Sequence, residues 1–224
     1  LKQHHLVIAI DGPSASGKSS TARLVARTLG YIFVDTGAMF RTLAWHCLRG
    51  GVDIHDHKAV GSACRRWKTS LTVAEGELRQ VRLLVDGYFP EQEIRTAETS
   101  AAVAHVAAVP KVREWMKKTQ RSCRDLGNLV MEGRDIGTAI FPESDYKFFL
   151  DAPLKARSER REKDGVKEDL AARDKRDSDR PVAPLMMALG AVRVDNSHMT
   201  LEQTAAFIVA EVRKRLEANP PVRK

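Results

Sequence analysis

Residues 6–19 read LVIAIDGPSASGKS, three signals in a row. Residues 6–11 are an apolar run of strand length. Gly12, Pro13, Ser14, Ala15, Ser16, Gly17, Lys18 and Ser19 then match G-x-x-x-x-G-K-[ST] at every fixed position. A helical pattern follows, from about Lys18 to Leu29. Strand, glycine-rich turn and helix in that order are the context that gives the match physical content. The glycines let backbone N–H groups close around phosphate oxygens, and the helix points its positive end at them. In such a loop Lys18 reaches the β- and γ-phosphates and the Ser19 hydroxyl ligates Mg²⁺. Gly12–Ser19 with the adjoining Ser20 are therefore the expected ATP-binding residues, with Mg²⁺ as the cofactor.

Outward from this loop, strands alternate with helices. Residues 31–34 read as a second strand and residues 38–49 as a second helix, which predicts an α/β fold with a parallel sheet. The middle changes character. Residues 67–74 and 80–85 are β-type, and Asp86-Gly87 is a turn signal. Together they predict a small antiparallel insert over residues 51–95. Helices are expected over 96–108 and 110–124, the second opened by Pro110. Residues 129–131 and 146–150 return as core strands. Residues 153–163 and 167–177 read as two charged helices around Gly165, a mobile flap. A strand at 191–194 and an amphipathic helix at 201–216 close the chain. The core is thus residues 6–50, 96–152 and 181–218, with an insert at 51–95 and a lid region at 153–180. Met186 and Met187 read as core, and Trp45, Trp67 and Trp115 as packing residues.

A second stretch, VMEGRDIGT at residues 130–138, puts Glu132, Arg134 and Asp135 at the end of an apolar run. Charges there are costly to desolvate and need a task. The end of a strand is where open α/β sheets bind ligands.

Composition narrows the class. Of 224 residues, 43% are apolar and 29% charged, and the net charge is +8. The basic and acidic residues of 155–180 are interleaved, which reads as a solvated segment and not a nucleic-acid stripe. No apolar run approaches the roughly 18 residues of a membrane span. The apolar run at residues 6–10 is too short for a secretory signal. Cys47, Cys64 and Cys123 are scattered, odd in number and without a C-x-x-C, which points to reduced thiols and a cytoplasmic protein. A GTPase switch would need D-x-x-G and [NT]-K-x-D motifs, and neither occurs. An insert and a charged flap suit a small-molecule kinase, where the acceptor must be covered and water excluded.

With these segments in hand the chain resembles the bacterial cytidylate kinases. The segments that carry the resemblance are IAIDGPSASGKSS, VDTGAMFR, EIRT, VPKVREWM, MEGRDIGTAIFPESDYKFFLDA, RDKRDSDRPVAPL and DNS. They run from Ile8 to Ser197. The resemblance implies a P-loop core of five parallel strands, an NMP-binding insert and a short lid. It implies transfer of the γ-phosphoryl of ATP to CMP or dCMP by a monomer. By position it makes Arg41 and Arg134 ligands of the acceptor phosphate, and Thr36, Arg113 and Asp135 contacts of the nucleobase. It places Arg173 and Asp177 at the acceptor sugar and lid, and Arg180 close to the phosphates. Arg157, Arg160 and Arg161 match lid arginines on the donor side. Lys18, Arg134, Arg173 and Arg180 are then the catalytic cations. Glu132 would act on Mg²⁺ through water.

The chain departs from the family pattern at four places. Glu132 stands where relatives carry Asp, one methylene shorter. Ala104 stands where a serine commonly touches the base. Phe40 replaces a tyrosine, and the lid between Arg161 and Arg173 is short.

Overall fold

The computed structural model describes residues 5–163 and 169–218. β1 (Val7–Asp11) is buried at every position, as its unbroken apolar run requires of a strand covered on both faces. It is followed by α1 (Lys18–Leu29), β2 (Ile32–Asp35), α2 (Thr36–Arg49), α3 (His57–Cys64), β3 (Thr69–Ala74) and β4 (Gln80–Val85). Then come α4 (Ala97–Ala108), α5 (Pro110–Ser122), β5 (Leu129–Gly133) and β6 (Tyr146–Asp151). The last elements are α6 (Leu154–Lys163), α7 (Leu170–Ser178), β7 (Val192–Asp195) and α8 (Leu201–Ala218).

Side chains alternate across a strand, so β1 serves two cores at once. Val7 and Ala9 face one layer, with Leu43 of α2, Val106 of α4 and Met116 of α5. Ile8 and Ile10 face the other, with Val25 of α1 and Ile208 and Val212 of α8. Each large apolar side chain so buried contributes roughly 1.5–3 kcal/mol. The result is a sheet between two helical layers.

The sheet has the order β3-β4-β2-β5-β1-β6-β7. The neighbours from β2 through β5, β1 and β6 to β7 are all parallel. β1 and β5 lie side by side, with Asp11 opposite Gly133. The loops that follow these two strands are therefore brought to one edge of the sheet. Local chemistry fixes where the helices start. Gly17 is left-handed at φ 85° and opens α1. Asp35 caps α2, accepting from the Ala38 N–H at 2.7 Å. Thr96 caps α4 and Asp169 caps α7.

The five parallel core strands and the antiparallel pair of the insert are both present, and the pair joins the core sheet. β3 and β4 pair antiparallel, but β4 also pairs parallel with β2 at Phe33 and Gln80, giving seven strands. The reason is burial: Val81, Leu83 and Val85 carry the apolar face past β2 and cover its edge. The insert also begins with a helix, α3, whose signal was Asp56 at its N-terminus, accepting from Lys58 N–H at 2.7 Å. Met186 and Met187 are 53% and 48% exposed, on the stretch between α7 and β7, and are not core. The expected flap centre, Gly165, lies outside the described residues. Trp67 and Trp115 do pack, edge to face at 6.0 Å. No helix among the described residues is long and apolar enough to cross a membrane.

Candidate active site

The glycine-rich loop crosses over the carboxyl end of β1. At Gly12, φ is 155° and a Cβ would sit 2.2 Å from the Leu150 carbonyl oxygen, so only glycine lets the loop leave the strand this way. Ala15 takes a left-handed conformation at φ 56°. Lys18 is buried at the head of α1 and donates to the Pro13 carbonyl at 2.8 Å. Ser16 is fully buried within the loop, and its hydroxyl has no hydrogen-bond partner among the described residues. An unpartnered buried hydroxyl is costly, and a ligand oxygen would satisfy it. Ser20 turns to the exposed side of α1.

Beside the loop, β5 ends in Glu132 and Gly133. The Ser19 hydroxyl donates to Glu132 Oε1 at 2.7 Å. Burial, then the nearby Asp35, raises the Glu132 carboxyl above the ordinary range, and Lys18 and Ser19 counter them. Thr36 donates from its hydroxyl to the Glu132 carbonyl at 2.7 Å. A Cβ on Gly133 would lie 2.8 Å from that hydroxyl, so this strand end is packed for glycine.

Two ion-paired groups follow. Asp135 accepts from Arg113 Nη2 at 2.7 Å, and both side chains are nearly buried. Arg113 also donates to the Ala107 carbonyl at 3.3 Å and lies over the Phe40 ring. Burial raises the Asp135 carboxyl, while Arg113, Arg180 and Arg134 counter it. Asp177 of α7 accepts from Arg134 Nε at 2.9 Å and from Arg180. Lys18 feels this cluster. Burial, Arg134 and Arg173 push its ammonium down to about 7, against the pull of Glu132 and Asp177. Arg41 leans on Asp35 at 3.4 Å at the start of α2.

Lys18, Ser19, Thr36, Glu132, Arg134, Asp135, Arg173, Asp177 and Arg180 thus gather at the carboxyl ends of β1 and β5, with Arg113 reaching in from α5. Two of the arginines expected on the donor side lie on α6. Arg157 is buried beneath the loop, held by the carbonyls of Ala152 at 2.8 Å and Ser14 at 3.0 Å and by Asp174 at 2.5 Å. Arg161 lies on the same helix, α6.

Three residues at this site were not anticipated from the sequence. Asp174 accepts from the Ser14 N–H at 3.1 Å and ties α7 to the loop. Asn196 donates to the Ser16 carbonyl at 2.8 Å, and Arg160 donates to the Asn196 carbonyl at 2.8 Å. Asp11 accepts from the N–H groups of Ile136 and Gly137. DNS was the only signal for Asn196, and the RDKRD repeat of charge hid Asp174 among its neighbours.

The family model described as cytidylate kinase matches residues 8–214. The chain belongs to the cytidylate kinase family. A cytidylate kinase of Geobacillus thermodenitrificans is 39% identical over 96% of this chain and 99% of its own length. One from Geobacillus kaustophilus is 38% identical over 96% of this chain and 99% of its own. A bifunctional pantoate ligase/cytidylate kinase of Synechococcus sp. is 36% identical over 97% of this chain, which spans 42% of that protein. As a cytidylate kinase the chain is a phosphotransferase of the nucleoside monophosphate kinase class.

Proposed function

We propose that this cytidylate kinase transfers the γ-phosphoryl of ATP to CMP or dCMP, giving CDP or dCDP and ADP. The observation that carries the acceptor assignment is the Arg113–Asp135 pair at the mouth of β5. Cytosine presents an exocyclic amine that donates and a ring nitrogen that accepts. A carboxylate and a guanidinium are their complements. Uracil would turn a carbonyl toward Asp135 and place two acceptors face to face. Such a mismatch is worth roughly 1–3 kcal/mol, about ten- to a hundredfold.

On this reading Gly12–Ser20 hold the ATP phosphates, with the orphan Ser16 hydroxyl as one of their donors. Arg157 and Arg160 brace the loop from below, and Arg161 serves the donor side from α6. Arg41 and Arg134 take the acceptor phosphate, Thr36 and Arg113 the base, and Arg173 and Asp177 the sugar. Residues 51–95 form the acceptor-binding insert and residues 153–180 the lid.

No general base is required. A nucleoside monophosphate has a second pKa of about 6, so its attacking oxygen is already ionised near neutral pH. The protein must bring two polyanions together and balance charge as the phosphoryl passes. Lys18, Arg134, Arg173 and Arg180 do this by position and field. The Ser19 hydroxyl and the Glu132 carboxylate meet at 2.7 Å, a hard oxygen ligand beside an acceptor for a bound water, which fits Mg²⁺, an ion that keeps several waters and takes few protein ligands. Bound there, Mg²⁺ would supply charge neutralisation at the β- and γ-phosphates. Ser19 would ligate it and Glu132 would orient its water.

The test is ADP release with CMP, dCMP, UMP, AMP and GMP as acceptors. CMP and dCMP should turn over fastest, with UMP about ten- to a hundredfold less efficient. Turnover that is indifferent to the acceptor would overturn the assignment.

A further inference from the structure

Asp11 ends β1 and stands directly before Gly12. It is almost fully buried, a costly place for a carboxylate. The phosphoryl-transfer chemistry above gives it no task. Yet both of its oxygens are engaged. Oδ1 accepts from the Ile136 N–H at 2.9 Å and Oδ2 from the Gly137 N–H at 2.7 Å.

Those two peptides open the turn Ile136–Ile140, and they follow Asp135 directly. The turn closes on itself through Phe141 N–H to the Ile136 carbonyl at 2.7 Å. Its first N–H groups have no partner inside the turn, as at any helical start. A carboxylate is acceptor-only and can take both. Asparagine could take one, and would turn its NH₂ donors on the other. Asp135 itself is at φ −144°, ψ 22°, outside the regular turn. Its side-chain direction therefore depends on where the next two peptides are held.

We infer that Asp11 is a positioning residue for acceptor selectivity: by clamping the Ile136 and Gly137 peptides it aims the Asp135 carboxylate at the cytosine amine. The inference rests on the acceptor reading given above. Asp11 thereby joins the root of the phosphate loop to the base-reading residue through one side chain. Burial pushes its carboxyl up to about 7, and the two N–H groups are the largest influences holding it down. Those same bonds thus favour the charged form that can accept from both.

The test measures kcat and KM for CMP and UMP, and KM for ATP, in the wild type, Asp11→Asn, Asp135→Ala and the double variant. Asp11→Asn should lower the CMP-to-UMP efficiency ratio about tenfold, chiefly through the KM for CMP, with the KM for ATP within about twofold. In the Asp135→Ala background it should cause little further loss of selectivity, because it acts through Asp135. A wild-type ratio in Asp11→Asn, or an equal loss toward ATP and CMP that adds to Asp135→Ala, would overturn the inference alone. A wild-type enzyme that does not distinguish CMP from UMP would overturn the acceptor reading, and this inference with it. If Asp11→Asn does not fold, amide exchange in the wild type decides. Slow exchange at Ile136 and Gly137 without nucleotide is expected, and exchange as fast as in open loops would overturn the clamp.

Discussion

The Ser19 hydroxyl donates to the Glu132 carboxylate at 2.7 Å, across 113 positions of sequence. One contact therefore ties the first turn of α1 to the end of β5. Glutamate is a methylene longer than aspartate and reaches this hydroxyl directly. Glu132→Gln keeps the shape and removes the charge. The half-saturating free Mg²⁺ concentration should rise about tenfold, in line with the 10- to 100-fold effect of losing an outer-shell partner. Initial rates against free Mg²⁺ check this, and an unchanged profile would remove Glu132 from the metal's surroundings.

Lys18 is held where a free enzyme does not want an ammonium. Burial and two arginines disfavour its charge. Lys18→Met should therefore stabilise the nucleotide-free protein by about 1–4 kcal/mol near pH 7, as replacing buried charge often does. The same change should lower kcat about 10²- to 10³-fold, the usual loss for one preorganised donor. Urea unfolding and steady-state rates measure the two effects. A variant both inactive and less stable would contradict the account.

The lowered Lys18 value also sets a pH dependence. With its free value at about 7, Lys18 is largely neutral at pH 8. A polyphosphate favours the charged form and raises that value on binding. Nucleotide binding at pH 8 should thus take up a proton, and affinity should fall as pH rises above about 7, by up to tenfold per unit. Calorimetry in two buffers of different ionisation enthalpy reads the uptake directly. Binding without proton uptake at pH 8 would refute it.

Ala104 lies on the exposed side of α4. A serine there restores the hydroxyl that the family resemblance sets against the base. Ala104→Ser should tighten CMP by about 0.5–1.5 kcal/mol, the net worth of a hydrogen bond, with little change for ATP. Tighter CMP binding by the native alanine would argue against the placement of the base.

Asp174 is the partner of both Arg157 and the Ser14 N–H. Asp174→Ala leaves Arg157 buried beneath the loop with its carbonyl contacts only. Stability should fall by about 3 kcal/mol, the lower end for breaking a buried pair because Asp174 is partly exposed. Denaturant midpoints check the loss, and a change under about 0.5 kcal/mol would show that water replaces the carboxylate.

The core strands and the site's main loop were legible because each carries its own local signature. The apolar run before Gly12 and the GKS that follows it are read together. GRDIGT likewise marks a strand end by bringing charges up against apolar residues. What sequence could not announce were partnerships over distance. Asp11 and Ile136 are 125 positions apart, and Ser16 and Asn196 are 180 apart. Nothing in either local pattern names the other. The junction of β4 to β2 was hidden for the same reason, since strand pairing has no signature within one strand. Met186 and Met187 misled because apolar residues on a connecting stretch look like core by composition alone.

β4 pairs with β2 at Phe33 and Gln80, and its Val81, Leu83 and Val85 anchor it in the main core. β3 lies at the sheet's edge with no fully buried side chain, so it is the part of the hairpin most open to change. Its length and composition can be varied, by evolution or by hand, while the strands that carry the phosphate loop and GRDIGT keep every rung of their ladder. A library built on residues 69–74 would therefore alter the sheet's edge while leaving the phosphate loop and the end of β5 in place.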